Sequence, residues 1–530
     1  MTQSEEPVLS GCRAFFWPVH GYELKKLVPM LVMFFLVSLN YNILRTAKDA
    51  LVVTAKASGA EVIPFIKVWV MLPMAVVMAF VFTHLSNRFS RERVFYLMVS
   101  GFLLYFILFV GVVYPLHDVF HPHHFADWLQ QVLPSGCKGL IALIRYWTFI
   151  SFYVMSELWG ATVLFLLFWG FVNEVTRLEE AKRFYGLFGV GANVSGVIAG
   201  LTSILLCRVG HQLVLPIGVD AWHRSLILLI LLVCLSGLVT MVIFRWMHTS
   251  VLTDPRYYSP SGSVSQMTPM KEKMSMRQNF GYLFKSKHLL NITIIVVAYN
   301  VVINLVEVVW KHQLRELCPN PNDYSTYMNM VTTTTGILAT MIAFLGTGNL
   351  LRRVGWTWTA LIAPFTLFVT SILFFGSFFL KGYLSSSPFL LSIFGLSPLA
   401  LTVFFGAVQN SISRSVKYTL FDATTELAFV PLGSEVKLKG KTAIDGVCSR
   451  LGKSGGAVIH QGLLLTFSTV TACAPYIAVM LLLVISLWAK ATWALGRRFD
   501  TLAKRQHSEE ETVESVFTDQ HSIISEPQTC

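Results

Sequence analysis

Residues 226–244 read LILLILLVCLSGLVTMVIF. The run carries no charge, and Arg245 follows it immediately. At about 1.5 Å rise per residue, a helix of this length crosses about 29 Å, close to the hydrocarbon thickness of a bilayer. Lipid offers no partner for a backbone N–H or C=O, and a helix satisfies these groups internally. The stretch therefore predicts a membrane span, at 225–246 with its flanks.

The composition says that this span is one of many. Of 530 residues, 54% are hydrophobic and 13% charged, with 40 Phe and 13 Trp. Soluble domains carry about 25% charge. Scanning outward gives five spans before this one, at 27–45, 62–82, 94–114, 140–170 and 185–206. Six follow, at 289–310, 327–348, 357–380, 390–412, 450–471 and 474–495. The expectation is an all-α polytopic membrane protein with twelve transmembrane helices. An N-terminal tail (1–26) precedes the first half (27–246), and a polar, basic loop (247–288) separates it from the second (289–495). The C-terminal tail (496–530) turns acidic from about 506 and is expected to be disordered.

Most of the 41 Lys and Arg fall on one side if both termini are cytoplasmic, as in RFSRER (88–93), RLEEAKR (177–183) and KLKGK (437–441). This placement, rather than nucleic-acid binding, accounts for the net charge of +12. The 8 Cys stand singly, which indicates neither a disulfide framework nor a zinc site. MTQSEEPVLSGCRAFF (1–16) reads as neither a signal nor a transit peptide. The halves echo one another in order. NYN (40–42) before Asp49 resembles AYN (298–300) before Glu307. FWGFVN (168–173) resembles FFGAVQ (404–409), and GANVSGVI (191–198) resembles GKSGGAVI (452–459). Two related six-helix halves around a central loop describe a major-facilitator-like transporter, which binds cargo near the midplane.

A charge at the bilayer centre costs about 2.5–3.5 kcal/mol on insertion scales, so one inside a span usually lines a pathway or pairs with another. Four charges meet that description: Lys67 in VIPFIKVWV, Glu157 in FYVMSELWG, Glu307 in VVINLVEVVWK and Lys453 in LGKSGGAVI. Plainer readings exist for each. The lysines snorkel, Glu157 belongs to a structural ion pair, and Glu307 sits at a span edge. Together they place one cation and one anion in each half, a set that suits a polyphosphate. Arg450 shares a helical face with Lys453. Asn193, in the glycine-dense GVGANVSG (189–196), and Asn300 offer amides to phosphate or ribose, or else pack between helices. Arg45 and Lys48, in RTAKD (45–49), either draw anions in or lie in a solvated outer loop. Tyr153 either stacks on a base beside Glu157 or faces lipid.

GVCSRLGKSGG (446–456) imitates a Walker A loop with one residue too many between Gly446 and Gly452, and KGKT (439–442) lacks the first Gly. A working P-loop follows a β-strand in an α/β domain, and no stretch here can hold one. No catalytic residue, cofactor or metal is expected. HDVFHPHHF (117–125) reads as a flexible outer loop rather than a metal site.

These segments resemble the ATP/ADP translocase family of plastids and obligate intracellular bacteria, and its chlamydial energy-parasite branch in particular. The resemblance runs from about 20 to 500. It is carried by LNYNILRTAKDALVVTAK (39–56), EVIPFIKVWVMLPMA (61–75), FYVMSELWGATVLFLLFWGF (152–171), NLVEVVWK (304–311), KYTLFDATTELAFVPL (417–432) and KGKTAIDGVCSRLGKSGGA (439–457). It implies exchange of ATP for ADP, with phosphate accompanying ADP and without hydrolysis. It also places transport-critical charges at Lys67, Glu157, Glu307 and Lys453. With no transit peptide, a bacterial inner membrane is the expected location. ATP, ADP and phosphate are the expected ligands, in a monomer surrounded by the lipid bilayer. By this reading Lys67 and Lys453, with Arg450 in support, reach the phosphates. Glu157 and Glu307 pair with those lysines in the empty site, or contact ribose and base. The rivals are a proton-coupled importer of several nucleotides, a membrane NTPase, and a structural or lipid-scrambling protein.

Overall fold

A computed structural model describes residues 19–524 apart from 213–219, 255–256, 258–285, 346, 386–394, 431, 433–439, 442–443 and 445–447. Most of the central loop, half of KGKT and the start of GVCSRLGKSGG therefore lie outside the described residues. Among the described residues every regular element is helical.

Twelve helices carry the spans. They are α1 (Leu24–Val53), α2 (Val62–Arg88), α3 (Arg91–Val113), α4 (Trp147–Val175), α5 (Leu178–Gln212) and α6 (Ala221–Val251). The second half supplies α7 (Lys287–Leu317), α8 (Pro321–Leu345), α9 (Trp356–Ser385), α10 (Pro398–Val416), α11 (Ser449–Phe467) and α12 (Val470–Ile524). Nine of these contain stretches long and apolar enough to cross a bilayer, and α8, α10 and α11 are the more polar three. In α8 the hydroxyls of Thr332, Thr333, Thr334 and Thr335 each donate to the carbonyl four residues back, which satisfies them inside the helix.

Local chemistry fixes several ends. Asp220 caps α6 by accepting from the His223 N–H at 2.6 Å. Ser397 caps α10, with Pro398 at the first helical position. Three boundaries differ from expectation. Helix α1 continues to Val53, so RTAKD is helix and not loop. The long span at 140–170 divides at Tyr146 into a short helix, Lys138–Arg145, and α4. Helix α12 runs on to Ile524, where the acidic tail is made of strong helix formers such as Glu.

Two helices widen into π turns beside membrane charges, at Ile66–Val70 around Lys67 and at Gly160–Phe168 just after Glu157. Such turns recur at functional sites because they release backbone groups and re-aim side chains.

The helices form two compact units. The first comprises Met1–Glu272, Val308–Met341 and Gln461–Ala472, and the second Lys273–Glu307, Ile342–His460 and Cys473–Cys530. Inside the first, Phe34 packs on Phe168 with ring centroids 4.8 Å apart, and the Trp159 indole donates to the Val37 carbonyl at 3.2 Å. Inside the second, Tyr299 stacks on Phe421 at 4.8 Å, and the fully buried Trp488 meets both edge-on. Helix α2 buries little of itself, and Val76 and Phe80 point outward as on a lipid-facing helix.

Candidate functional site

The first unit holds a network of four charges on α1, α4 and α7. Lys48 Nζ lies 2.9 Å from Glu157 Oε1 and 3.1 Å from Asp49 Oδ1. It also stands 3.6 Å above the centroid of the Tyr153 ring, a cation–π contact. Asp49 turns its other oxygen, Oδ2, to Lys311 Nζ at 2.8 Å. The side chains of Lys48, Asp49 and Lys311 are at most 3% exposed, whereas Glu157 is 32% exposed. The network is therefore dry at three members and open at one, the carboxylate.

Glycine sets this geometry. A Cβ on Gly160 would stand 2.6 Å from the Tyr41 ring, so the glycine lets α4 approach α1 closely. Glu157 is one turn before Gly160, and Lys48 two turns after Tyr41. Lys67 is half-buried in its π turn. Arg45 is half-buried on α1.

The second unit holds a simpler arrangement. Arg414 Nη2 lies 3.0 Å from Glu307 Oε1, with side chains 8% and 13% exposed. Helix α11 packs on α7 through its glycines. A Cβ on Gly452 would sit 2.9 Å from Asn300 Cβ and 3.0 Å from the Val297 carbonyl oxygen, and one on Gly456 would sit 3.1 Å from Asn304 Cβ. Asn300 and Asn304 donate their amides back along α7, to the Val296 and Asn300 carbonyls at 2.8 and 2.7 Å. Lys453 and Arg450 lie on the exposed side of α11.

The Walker-like string thus forms a helix from Ser449, and Gly452 and Gly456 are a small-residue seam at i, i+4. A phosphate loop needs its backbone N–H groups free to face the ligand, and here they belong to the helix.

The structure gathers Lys48, Tyr153 and Glu157 in one unit, and places Glu307, Asn300, Arg450 and Lys453 in the other. Asn193 backs onto α8, its carbonyl oxygen 2.7 Å from where a Gly336 Cβ would stand, so packing governs its position. Several sequence readings are corrected. Lys48 and Asp49 are buried, not solvated. Tyr153 lies beneath Lys48 at 1% exposure and does not face lipid. Glu157 pairs with Lys48 and Glu307 with Arg414, partners that the sequence reading did not name. Asp49, Lys311 and Arg414 were missed as site residues because each lies just beyond a drawn span edge. Helical spacing carried a signal for one of them, since Lys311 follows Glu307 by four residues.

The His-rich stretch is folded rather than a loose loop. It forms short helices at His117–Phe120 and His123–Val132. His121 is buried, bonds Thr148 Oγ1 at 2.6 Å and meets Phe149 and Tyr146 edge-on. Burial, then the neighbouring His117 and His123, push its pKa down to about 4. Among the described residues, no three His, Cys, Asp or Glu side chains converge as metal ligands. A cavity of about 610 Å³ lies beside this region, lined by Leu51, Thr54, Lys56, His117, Arg145 and Tyr146 among others.

Comparison with known proteins bears on these observations. The family described as TLC ATP/ADP transporter matches residues 2–499. ADP,ATP carrier protein 1 of Chlamydia pneumoniae is 44% identical, over 97% of this chain and 98% of its own. ADP,ATP carrier protein 2, chloroplastic, of Arabidopsis thaliana is 41% identical, over 92% of this chain and 77% of its own. Among solved structures, a bacterial homologue of the iron transporter ferroportin in an inward-facing state superposes with a TM-score of 0.56 at 13% identity, covering 89% of this chain and all of that one. That likeness concerns the fold, a major-facilitator-like one.

Proposed function

We propose that this chain, which belongs to the TLC ATP/ADP transporter family, exchanges ATP for ADP across a membrane by alternating access and hydrolyses neither. The carrying observation is the Lys48–Glu157 pair. A dry ammonium held over Tyr153 meets a carboxylate that is one-third open, inside membrane helices where such charges are retained for transport. An incoming polyphosphate competes with Glu157 for Lys48 and Lys67. Lys453, with Arg450, serves the phosphates from α11, and Glu307 is held ready by Arg414. Asn300 and Arg45 stand within two helical turns of Glu307 and Lys48 and trim the site, Asn193 offers an amide from α5, and Tyr153 supports Lys48 from below.

An empty site whose cations are satisfied by its own carboxylates disfavours switching without cargo, which makes the exchange obligatory. Phosphate travels with ADP, which balances charge. The carrier works as a monomer in a bacterial inner membrane. Both termini are cytoplasmic, as the Lys and Arg distribution argues, and host ATP moves inward.

The test is uptake of labelled ATP into proteoliposomes preloaded with ADP, with phosphate, or with nothing. Exchange predicts uptake with ADP inside and little without it. Uptake into empty vesicles driven by a pH gradient would replace the reading with a proton-coupled importer, and release of phosphate from ATP would replace it with an NTPase. Lys67→Ala or Lys453→Ala at wild-type uptake would sink their assignment to the phosphates.

A further inference from the structure

The Lys48 network has a second arm that nucleotide recognition does not use. Asp49 bonds Lys311 at 2.8 Å, and both side chains are at most 2% exposed. Four residues on, Arg315 Nη2 donates to the Ala55 carbonyl at 3.2 Å, just past the end of α1. The end of α7 thus grips the last turn of α1 and the residues just past it at two rungs, the second on a carbonyl that also accepts from the Ser58 N–H at 3.0 Å. Elsewhere in the first unit, residues 461–468 are tied to α2 and to the stretch before α4. Gln461 Nε2 donates to the Pro64 carbonyl at 2.8 Å, and Ser135 Oγ donates to Ser468 Oγ at 2.8 Å.

Buried ion pairs rarely add stability over apolar packing, and their best-attested use is to specify or switch between states. The place of this one points to switching. The division between the two compact units falls inside α7, between Glu307 and Val308. Glu307 binds Arg414 in one unit, and Lys311, one turn later, binds Asp49 in the other. The cavity of about 610 Å³ begins at Leu51 and Thr54, the next turn of α1 after Asp49. The rungs therefore sit along α1 between the Lys48–Glu157 pair and a space within the range of small-ligand sites.

We propose that Asp49 and Lys311 are positioning residues of the exchange cycle, forming a latch at the face opposite the termini. The latch closes the path between the cavity and Lys48–Glu157 and must break once per cycle. The inference rests on the exchange reading above. Because Asp49 also holds Lys48, breaking the latch leaves Lys48 shared between Asp49 and Glu157, which ties latch opening to the cation that nucleotide would claim.

The test uses the full chain in proteoliposomes. Asp49→Cys with Lys311→Cys is made on a background in which Cys137 and Cys318, both half-buried, are serine. A short bifunctional thiol reagent then bridges the gap left by the lysine stem. Linking is expected to lower ADP-for-ATP exchange at least about 20-fold, and thiol reductant to restore it, because a bond across the latch forbids the open state. Exchange at the unlinked rate after complete linking would overturn the latch.

Where the double variant fails to fold, the unsubstituted carrier answers instead. Lys311 labelling by an aqueous amine reagent, read by mass spectrometry, is expected during exchange to come within about ten-fold of that of the exposed Lys56, since a latch that opens each cycle exposes its ammonium. Lys311 that stays unlabelled through many turnovers marks a static pair. Wild-type vesicles that do not exchange at all sink the exchange reading, whereas exchange that survives the link sinks the latch alone.

Discussion

The two units solve the problem of membrane charge differently. In the first, two lysines and two carboxylates share one network, with Lys48 over the Tyr153 ring and Glu157 open. In the second, Arg414 pairs with Glu307, Lys453 and Arg450 are exposed on α11, and glycines pack α11 against α7. The sequence placed one Lys and one Glu in each half and invited a symmetric reading. The difference teaches that echoed motifs need not carry echoed electrostatics. In the first network Lys48 and Asp49 each have two partners, so that one contact can be traded while the other holds.

Removing one partner from each arrangement tests the contrast. Lys48→Met takes the shared cation from Asp49 and Glu157, and leaving buried charge uncompensated costs about 3–5 kcal/mol. We expect exchange in proteoliposomes to fall at least about 100-fold, because the step that trades Glu157 for phosphate has lost its cation. Arg414→Met removes the cation paired with Glu307, which is 13% exposed. We expect that variant to lose about 2 kcal/mol, measured as the shift in thermal unfolding of the detergent-solubilised carrier. If Arg414→Met proves the more damaging in both assays, the first network is not the centre of the site.

The glycine seam gives a sharper internal control. Gly452→Ala puts a Cβ 2.9 Å from Asn300 Cβ and 3.0 Å from the Val297 carbonyl, and backbone cannot step aside as a flexible side chain does. Overpacking of this kind costs about 1–3 kcal/mol. Gly455→Ala, three residues on, meets nothing within 4 Å and should be within about 0.5 kcal/mol of wild type. Were the stretch a phosphate loop, Gly455 would matter as much as Gly452, and equal effects on nucleotide exchange would restore that reading.

The fold was legible because lipid leaves the backbone few choices. Runs such as 226–244 specify both helix and length, and even polar α8 and α10 were placed. Burial cost singled out Lys67 and Glu157 inside apolar runs, and Glu157 is ion-paired within its span. What could not be read was pairing. Lys48 and Asp49 look like a soluble RTAKD loop until α1 is seen to continue to Val53. Lys311 and Arg414 look like snorkelling cations at span ends. Hydropathy locates the membrane to within a turn or two, and one turn decides whether an ammonium meets water or a carboxylate. The His-rich stretch failed for a related reason. Its imidazoles pack as aromatic rings, and a reading that counted them as metal ligands or polar loop residues could not see the stack.

That stack extends the contrast to a group that carries no charge. The first unit keeps charge by pairing it, but His121 is kept neutral by burial, with Thr148 as its hydrogen-bond partner. Its pKa is pushed from 6.5 to about 4, first by burial and then by His117 and His123, with Asp118 opposing. The sign follows from proton counting. Between pH 6.5 and 4 the unfolded chain takes up a proton that the folded chain refuses, so this group's contribution to stability is complete above 6.5 and is lost as pH falls through about 4. The unfolding temperature of the solubilised carrier should therefore drop across that window. His121→Gln, which can still bond Thr148 but cannot titrate, should flatten part of the drop while leaving the plateau near neutral pH within about 1 kcal/mol. A profile that His121→Gln leaves unchanged would mean that other groups carry the acid sensitivity. His121 would then be packing alone.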